Sequence, residues 1–139
     1  MRRIEFDAGH RLIGHSGKCR HIHGHRYAAE VFVSSDKLDQ IGMVVDFGEV
    51  KRLVGSWIDQ NWDHNLLLNQ DDPQLLHLTM TEERRPYVMS CNPTAENMAR
   101  ELFDAAAKLL PAGSMLQCIR LWETPTCFAE YPHSSEYRP

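Results

Sequence analysis

The chain has 139 residues, a length typical of one domain with its own hydrophobic core. Hydrophobic residues make up 42% and charged residues 24%, an ordinary globular composition that argues against disorder. The formal net charge of −4 disfavours a nucleic-acid-binding protein, which would need a basic face. We therefore expect a single domain spanning residues 1–139 and no nucleic-acid partner.

Membrane and secretory segments are not evident in the sequence. No apolar run approaches the ~18–20 residues of a membrane span, and the charged N-terminus is not followed by the apolar stretch of a signal peptide. We expect a cytoplasmic protein without a membrane partner. Its cysteines are then expected to be reduced thiols: Cys19, Cys91, Cys118 and Cys127.

The first half of the chain predicts strands followed by a helix. Residues 26–33 alternate in the manner of a strand, and the short apolar run 43–45 is interpreted as the end of a partner strand. Asp46 and Glu49 fit a capping box, in which Asp46 caps a helix and Glu49 reaches back to it. Apolar residues then recur every three to four positions, and this helix is expected to end near Asn61.

The second half begins with a polar, irregular stretch. Residues 69–92 are interpreted as a long loop with a helical turn near residues 73–77, and such loops are often functional. A second helix follows. Either Asn92 caps it with Pro93 at the first helical position, or Thr94 is the cap.

Two strands close the chain, over residues 116–123 and 127–131, joined by a turn. The predicted order is ββααββ. It indicates an α+β domain with a four-stranded antiparallel sheet and two helices on one face. Such a sheet has two free edges, so association through them is expected.

Histidine is concentrated in one window: five of the eight lie between residues 10 and 25. His23 and His25 point to the same side of the strand they begin, and Gly24 permits close backbone approach. An adjacent antiparallel strand could bring His10 opposite this pair. Three imidazoles with one open position describe a catalytic zinc site, and the alternative is ordinary surface or core histidines.

Cys19 precedes the histidine pair by four residues and permits two interpretations. As a fourth ligand it would make the zinc site closed and structural. Beside an open zinc it could be a nucleophile or base, since Lys18 and Arg20 favour the thiolate. The spacing does not choose between them.

Three carboxylate or imidazole groups elsewhere are further candidates. Asp63 next to His64 is a pairing that orients and activates an imidazole, or it is a polar helix end. Glu123 shares a strand face with apolar residues, so it lies at a solvent rim or is held to accept paired N–H groups from a guanidine-like ligand.

Six segments, in this order, resemble the 6-pyruvoyl-tetrahydropterin synthase / 6-carboxy-tetrahydropterin synthase family. They are FDAGHRL around His10, KC…HGH from Lys18 to His25, VDF at Asp46, DHNL at Asp63, NPTAEN at Thr94 and WET at Glu123. The resemblance covers nearly the whole chain. It implies the tunnelling fold (T-fold), in which three subunits close a barrel and two trimers stack into a homohexamer with active sites at subunit interfaces.

The resemblance also implies residue roles. His10, His23 and His25 match the zinc ligands, and Cys19 matches the catalytic base rather than a fourth ligand. A second set matches the proton relay and the pterin-binding positions: Asp63 and His64 for the relay, Glu123 for the ring anchor and Thr94 for a pterin contact.

The substrate implied is 7,8-dihydroneopterin triphosphate. The short gap between Cys19 and His23 resembles the carboxy branch, which releases acetaldehyde and triphosphate and serves queuosine synthesis. The alternatives are the pyruvoyl branch, which eliminates triphosphate for biopterin synthesis, another pterin enzyme such as an epimerase or aldolase, and a non-catalytic module in which Cys19 also ligates zinc.

Overall fold

The computed structural model describes residues 1–81 and 83–132. One mixed sheet runs through it in the strand order β4-β3-β1-β2-β5-β6. Its strands are β1 Arg2–His10, β2 His23–Ser34, β3 Asn65–Asn69, β4 Tyr87–Met89, β5 Met115–Thr124 and β6 Cys127–Tyr131. The α-helices are α1 Phe47–Val50, α2 Ser56–Asn61, α3 Leu75–Thr81 and α4 Ala95–Leu109, and the π-helical segment Lys51–Gly55 joins α1 to α2.

Four antiparallel strands were expected, and β1, β2, β5 and β6 form that arrangement. The expected strand count and the ββααββ order are nevertheless wrong. β3 pairs parallel to β1, and β4 pairs parallel to β3. Leu67 and Leu68 of β3 are fully buried. Burial of these apolar side chains stabilises the extension of the sheet beyond β1.

The loop expected over residues 69–92 is also corrected. It contains α3 and β4, and α3 is the crossover that two parallel strands require. The partner strand expected at residues 43–45 does not form. Asp39 accepts hydrogen bonds from the N–H groups of Ile41 and Met43, at 3.0 and 2.8 Å, and this turn replaces strand pairing.

The predicted helix ends are largely confirmed. The Asp46 side chain accepts from the Gly48 N–H, and the helical run ends at Asn61. Glu49 does not reach back to the cap, because it pairs with Arg52 at 2.9 Å. Of the two alternatives for α4, Thr94 is the cap, since its side chain accepts from the N–H of the third helical residue.

The two long helical runs pack on one side of the sheet, as expected. A single core joins them to the strands, and its members include Ile4, Phe6, Tyr27, Val54, Ile58, Trp62, Met98, Leu102, Ile119 and Leu121. Among the residues that the structure describes, no helix combines the length and hydropathy of a membrane span.

Truncating this core should destabilise the protein measurably. Leu102 on α4 has no solvent exposure, so Leu102→Ala removes buried methyl groups and leaves a cavity. We expect unfolding in urea to show a loss of about 2–5 kcal/mol. The exposed Leu76→Ala is the matched control and should change stability by less than about 0.5 kcal/mol. Equal losses for both variants would contradict the packing described here.

Candidate functional site

Three imidazoles converge where β1 meets β2. His10 lies directly opposite His23 in the antiparallel register, and His25 lies opposite Ala8, whose small side chain leaves room on the same face. One ring nitrogen of each histidine lies within 4.8 Å of a ring nitrogen of each of the other two. The predicted juxtaposition across an antiparallel pair is therefore present.

Two glycines allow the strands to meet this closely. Gly9 pairs with Gly24, between the histidines of the cluster. A Cβ at Gly24 would lie 3.1 Å from the Ala8 carbonyl oxygen, and one at Gly9 would lie 3.2 Å from a Leu66 methyl group. A side chain at either position would therefore press against its neighbour.

Backbone carbonyls orient two of the rings. The His10 Nδ1 lies 2.7 Å from the Pro93 carbonyl oxygen, and the His23 Nδ1 lies 2.8 Å from that of His21. Because a carbonyl only accepts, both Nδ1 atoms carry the proton and both Nε2 atoms present lone pairs. These Nε2 atoms are 3.1 Å apart, an arrangement that a cation between them would stabilise.

Burial favours the neutral form of two of these histidines, His10 and His25. His10 is 1% exposed, and this burial lowers its pKa despite the opposing hydrogen bond to Pro93. Burial likewise lowers the pKa of His25. Neutral imidazole is the form that binds metals. The residues present therefore fit a divalent metal such as zinc, with three nitrogen ligands and room for a fourth group.

Glu123 lies beside the cluster. Its carboxylate oxygen is 3.5 Å from His10 Nε2 and 3.9 Å from His25 Nε2, and its side chain is 29% exposed. The same residue lines a cavity of about 210 Å³ together with Cys19 and Thr94. The candidate base, the candidate ring anchor and the candidate pterin contact thus surround one small cavity, and Glu123 connects this cavity to the histidines.

Cys19 is not part of the metal cluster. Among the residues that the structure describes, the group of mutually close ligating atoms contains the three histidines and no sulfur. Cys19 lies in the single-turn helix Lys18–Arg20, and its carbonyl accepts from the Leu12 N–H at 2.8 Å. The described geometry therefore provides three candidate ligands and does not form a closed four-ligand site with Cys19.

Asp63 and His64 form a pair at the end of α2. His64 Nδ1 donates to the Asp63 carboxylate at 2.8 Å, and the His64 side chain is 74% exposed. Burial raises the pKa of Asp63, but hydrogen bonds from the Asp7 N–H and His64, with the charges of His64 and Arg84, lower it overall. Within the described parts of this single chain, no hydrogen bond joins the pair to Cys19 or to the cluster.

Other residues support the site without having been singled out. The Asn92 side chain accepts from the Ile13 N–H at 3.1 Å and donates to the Ile13 carbonyl at 2.9 Å. It thereby fixes the segment that follows His10, and Pro93 supplies the carbonyl that orients His10. The sequence signal was the NPT segment, which helix-capping rules alone interpret as a helix start.

A sequence model of the 6-pyruvoyl tetrahydropterin synthase family matches residues 1–134. That range includes the six strands and four α-helices of the described residues and the three-histidine cluster. Fold and site therefore define an α+β enzyme of the pterin synthase class. The chain belongs to the 6-pyruvoyl tetrahydropterin synthase family, and the resemblance expected from the six segments is confirmed.

Similar proteins include enzymes of the carboxy branch. A 6-carboxy-5,6,7,8-tetrahydropterin synthase of Rickettsia felis is 46% identical over 132 residues, covering 93% of this chain and 96% of the relative. One of Haemophilus influenzae is 34% identical and covers 92% and 94%. Both relatives are matched over nearly their full length.

Two solved structures have the same fold. That of Caenorhabditis elegans 6-pyruvoyl tetrahydropterin synthase has a TM-score of 0.68 at 25% identity, covering 96% of this chain and 93% of that one. An uncharacterized protein of Wolinella succinogenes has a TM-score of 0.79 at 23% identity, covering 93% and 94%. The T-fold expectation therefore holds at the level of a shared α+β fold.

Proposed function

We propose that this chain, acting as one domain over residues 1–139, is a lyase that converts 7,8-dihydroneopterin triphosphate and water to 6-carboxy-5,6,7,8-tetrahydropterin, acetaldehyde and triphosphate. The carboxy-branch names of relatives that align over nearly their full length support this reaction. The observation that carries it is Glu123, whose carboxylate borders both the three-histidine cluster and the cavity that contains Cys19. A pterin ring bound at Glu123 would place its side chain next to the cluster.

His10, His23 and His25 would hold the zinc ion that we propose as cofactor. When bound, zinc would supply Lewis acidity that makes the neighbouring C–H and O–H groups of the substrate side chain more acidic. The lone pairs of the two carbonyl-oriented rings support this ligand set.

The remaining residues would bind the ring and move protons. Glu123 would accept from the 2-amino and N3 hydrogens of the pterin, and Thr94 would contact the same ring. Cys19, as thiolate, would take a proton from the substrate side chain, and the pair Asp63 and His64 would deliver or accept another. Fixing the ring holds the reacting carbon within reach of these groups.

We further propose a homohexamer with active sites at subunit interfaces. The sheet of one chain leaves β4 and β6 at its edges, and among its described residues no hydrogen bond joins Asp63 or His64 to Cys19. An exposed His64 is suited to serve the site of a neighbouring subunit. The four free thiols support a reducing cytoplasmic compartment. The carboxy-branch relatives support a place in queuosine synthesis.

Released acetaldehyde tests this proposal against the pyruvoyl branch. Zinc-loaded protein is incubated with 7,8-dihydroneopterin triphosphate, and acetaldehyde is measured by its reduction with NADH and alcohol dehydrogenase. We expect acetaldehyde in a 1:1 ratio to triphosphate. Triphosphate without acetaldehyde would instead assign the chain to the pyruvoyl branch.

Glu123→Gln should weaken substrate binding more than chemistry. The amide replaces one carboxylate acceptor by a donor and removes the charge that strengthens both ring contacts. Losing a charged hydrogen bond costs about 1.5–3 kcal/mol, so KM should rise about 10- to 100-fold. Glu49→Gln, at a half-exposed position on α1 that does not line this cavity, is the control. An unchanged KM in Glu123→Gln would contradict the proposed anchoring role.

A further inference from the structure

The carbonyl groups at the end of α2 are all satisfied, although a helix end leaves its last four without intrahelical partners. The Ile58 carbonyl accepts from the N–H groups of Trp62 and Asp63, at 2.7 and 2.9 Å. The Asn61 carbonyl accepts from the Asn65 side chain at 2.8 Å. The carbonyls of Asp59 and Gln60 accept hydrogen bonds from a side chain in a distant part of the sequence.

That side chain is Arg84, which lies between α3 and β4. Its guanidinium donates to the carbonyl oxygens of Asp59, Gln60 and Asp63, at 3.1, 2.8 and 2.6 Å. A planar guanidinium can make several such bonds at once, and a cation is favourable at a helix C-terminus. One residue therefore joins the last turn of α2 to the backbone of Asp63.

The opposite side of this backbone is held by β1. The Asp7 N–H donates to the Asp63 carboxylate at 2.9 Å, and the Asp7 carbonyl accepts from the His64 N–H at 2.6 Å. His64 adopts a left-handed backbone conformation, with φ of 52°. A non-glycine residue is held in this region only when its surroundings fix it. The Asp63–His64 backbone is fixed between Asp7 and Arg84.

We propose that Arg84 is a positioning residue that sets the orientation of the Asp63–His64 pair for proton transfer. This inference rests on the proposed function, in which the pair moves a proton. Its three hydrogen bonds all go to backbone carbonyls, and among the described residues none joins it to Glu123 or Thr94, so it acts through the backbone of the pair. Arg84 also lines one groove of about 770 Å³ together with His64 and His25, so it borders the same groove as the His64 ring.

Arg84→Ala, Arg84→Lys and the control Arg85→Ala test this role in the full-length, zinc-loaded protein. Arg85 is the exposed neighbour of Arg84. We expect Arg84→Ala to lower kcat about tenfold with KM within twofold, because misplacing a catalytic group lowers the rate without weakening ring binding. Arg84→Lys should recover only part of kcat, since an ammonium lacks the planar fork. Arg85→Ala should match the wild type.

Amide hydrogen exchange provides a readout that does not depend on activity. In Arg84→Ala, the amides of Asp63 and His64 should exchange at least about tenfold faster than in Arg85→Ala, because one side of their support is lost. Wild-type kcat in Arg84→Ala, or unchanged exchange at both amides, would overturn the proposal. Inactive wild-type protein would count against the proposed function instead, and exchange would then decide the positioning role alone.

Discussion

Cys19→Ala is expected to lower kcat by about 10²- to 10⁴-fold, the range for loss of a positioned general base. Cys19 lines the cavity that is also lined by Glu123 and Thr94, and Glu123 lies beside the three-histidine cluster. The Cys19 thiol is not among the clustered ligating atoms, so the variant should still bind one zinc ion per chain. Steady-state kinetics and metal analysis of the same preparation measure both quantities.

Cys118→Ala is the matched control for this variant. Cys118 lies half-buried on β5, and burial raises the pKa of its thiol, which makes it a poor base. This variant should keep wild-type kcat. Loss of zinc in Cys19→Ala, with Cys19 of the wild type resistant to alkylation until zinc is chelated, would contradict the base role and support the closed structural site.

His10→Ala should remove both zinc and activity. His10 is almost fully buried, its Nδ1 donates to the Pro93 carbonyl, and its Nε2 faces the lone pair of His23. Alanine at this position leaves two histidine ligands and removes the hydrogen-bond donor to the Pro93 carbonyl. Changes in the groups that merely orient a ligand cost about 10- to 100-fold in metal affinity, so losing the ligand should cost more than about 100-fold.

Dialysis against a graded series of chelator concentrations, followed by metal analysis, measures that affinity. His15→Ala is the control, since His15 belongs to the same histidine-rich window but lies exposed outside the cluster. It should retain zinc like the wild type. Equal retention by His10→Ala and His15→Ala would show that the cluster is not the metal site.

The local pattern around the histidines was sufficient to predict their placement. Two histidines at a spacing of two, followed by a strand, fix their common side, and an antiparallel partner brings His10 opposite them. The helix end at Asn61 also follows from periodicity, whereas capping rules left Asn92 and Thr94 as alternatives for α4, of which Thr94 is the cap. These features depend on contacts between near neighbours or on one strand pairing.

The parallel pairing of β3 with β1 and of β4 with β3 could not be predicted from the sequence pattern. β4 has only three residues, too few for any periodicity, and β3 is a short leucine run between two asparagines. Their pairing depends on the α3 crossover, a long-range arrangement. The bonds from Arg84 to the end of α2 could not be predicted either, because they join residues 21 to 25 positions apart that no local pattern relates.

The mass of the pterin product tests the central claim most directly. Zinc-loaded wild-type and Cys19→Ala proteins receive 7,8-dihydroneopterin triphosphate, and the pterins are identified by mass spectrometry. The account predicts 6-carboxy-5,6,7,8-tetrahydropterin from the wild type and almost none from the variant. A 6-pyruvoyl product, or no turnover by wild-type protein carrying one zinc ion per chain, would contradict it.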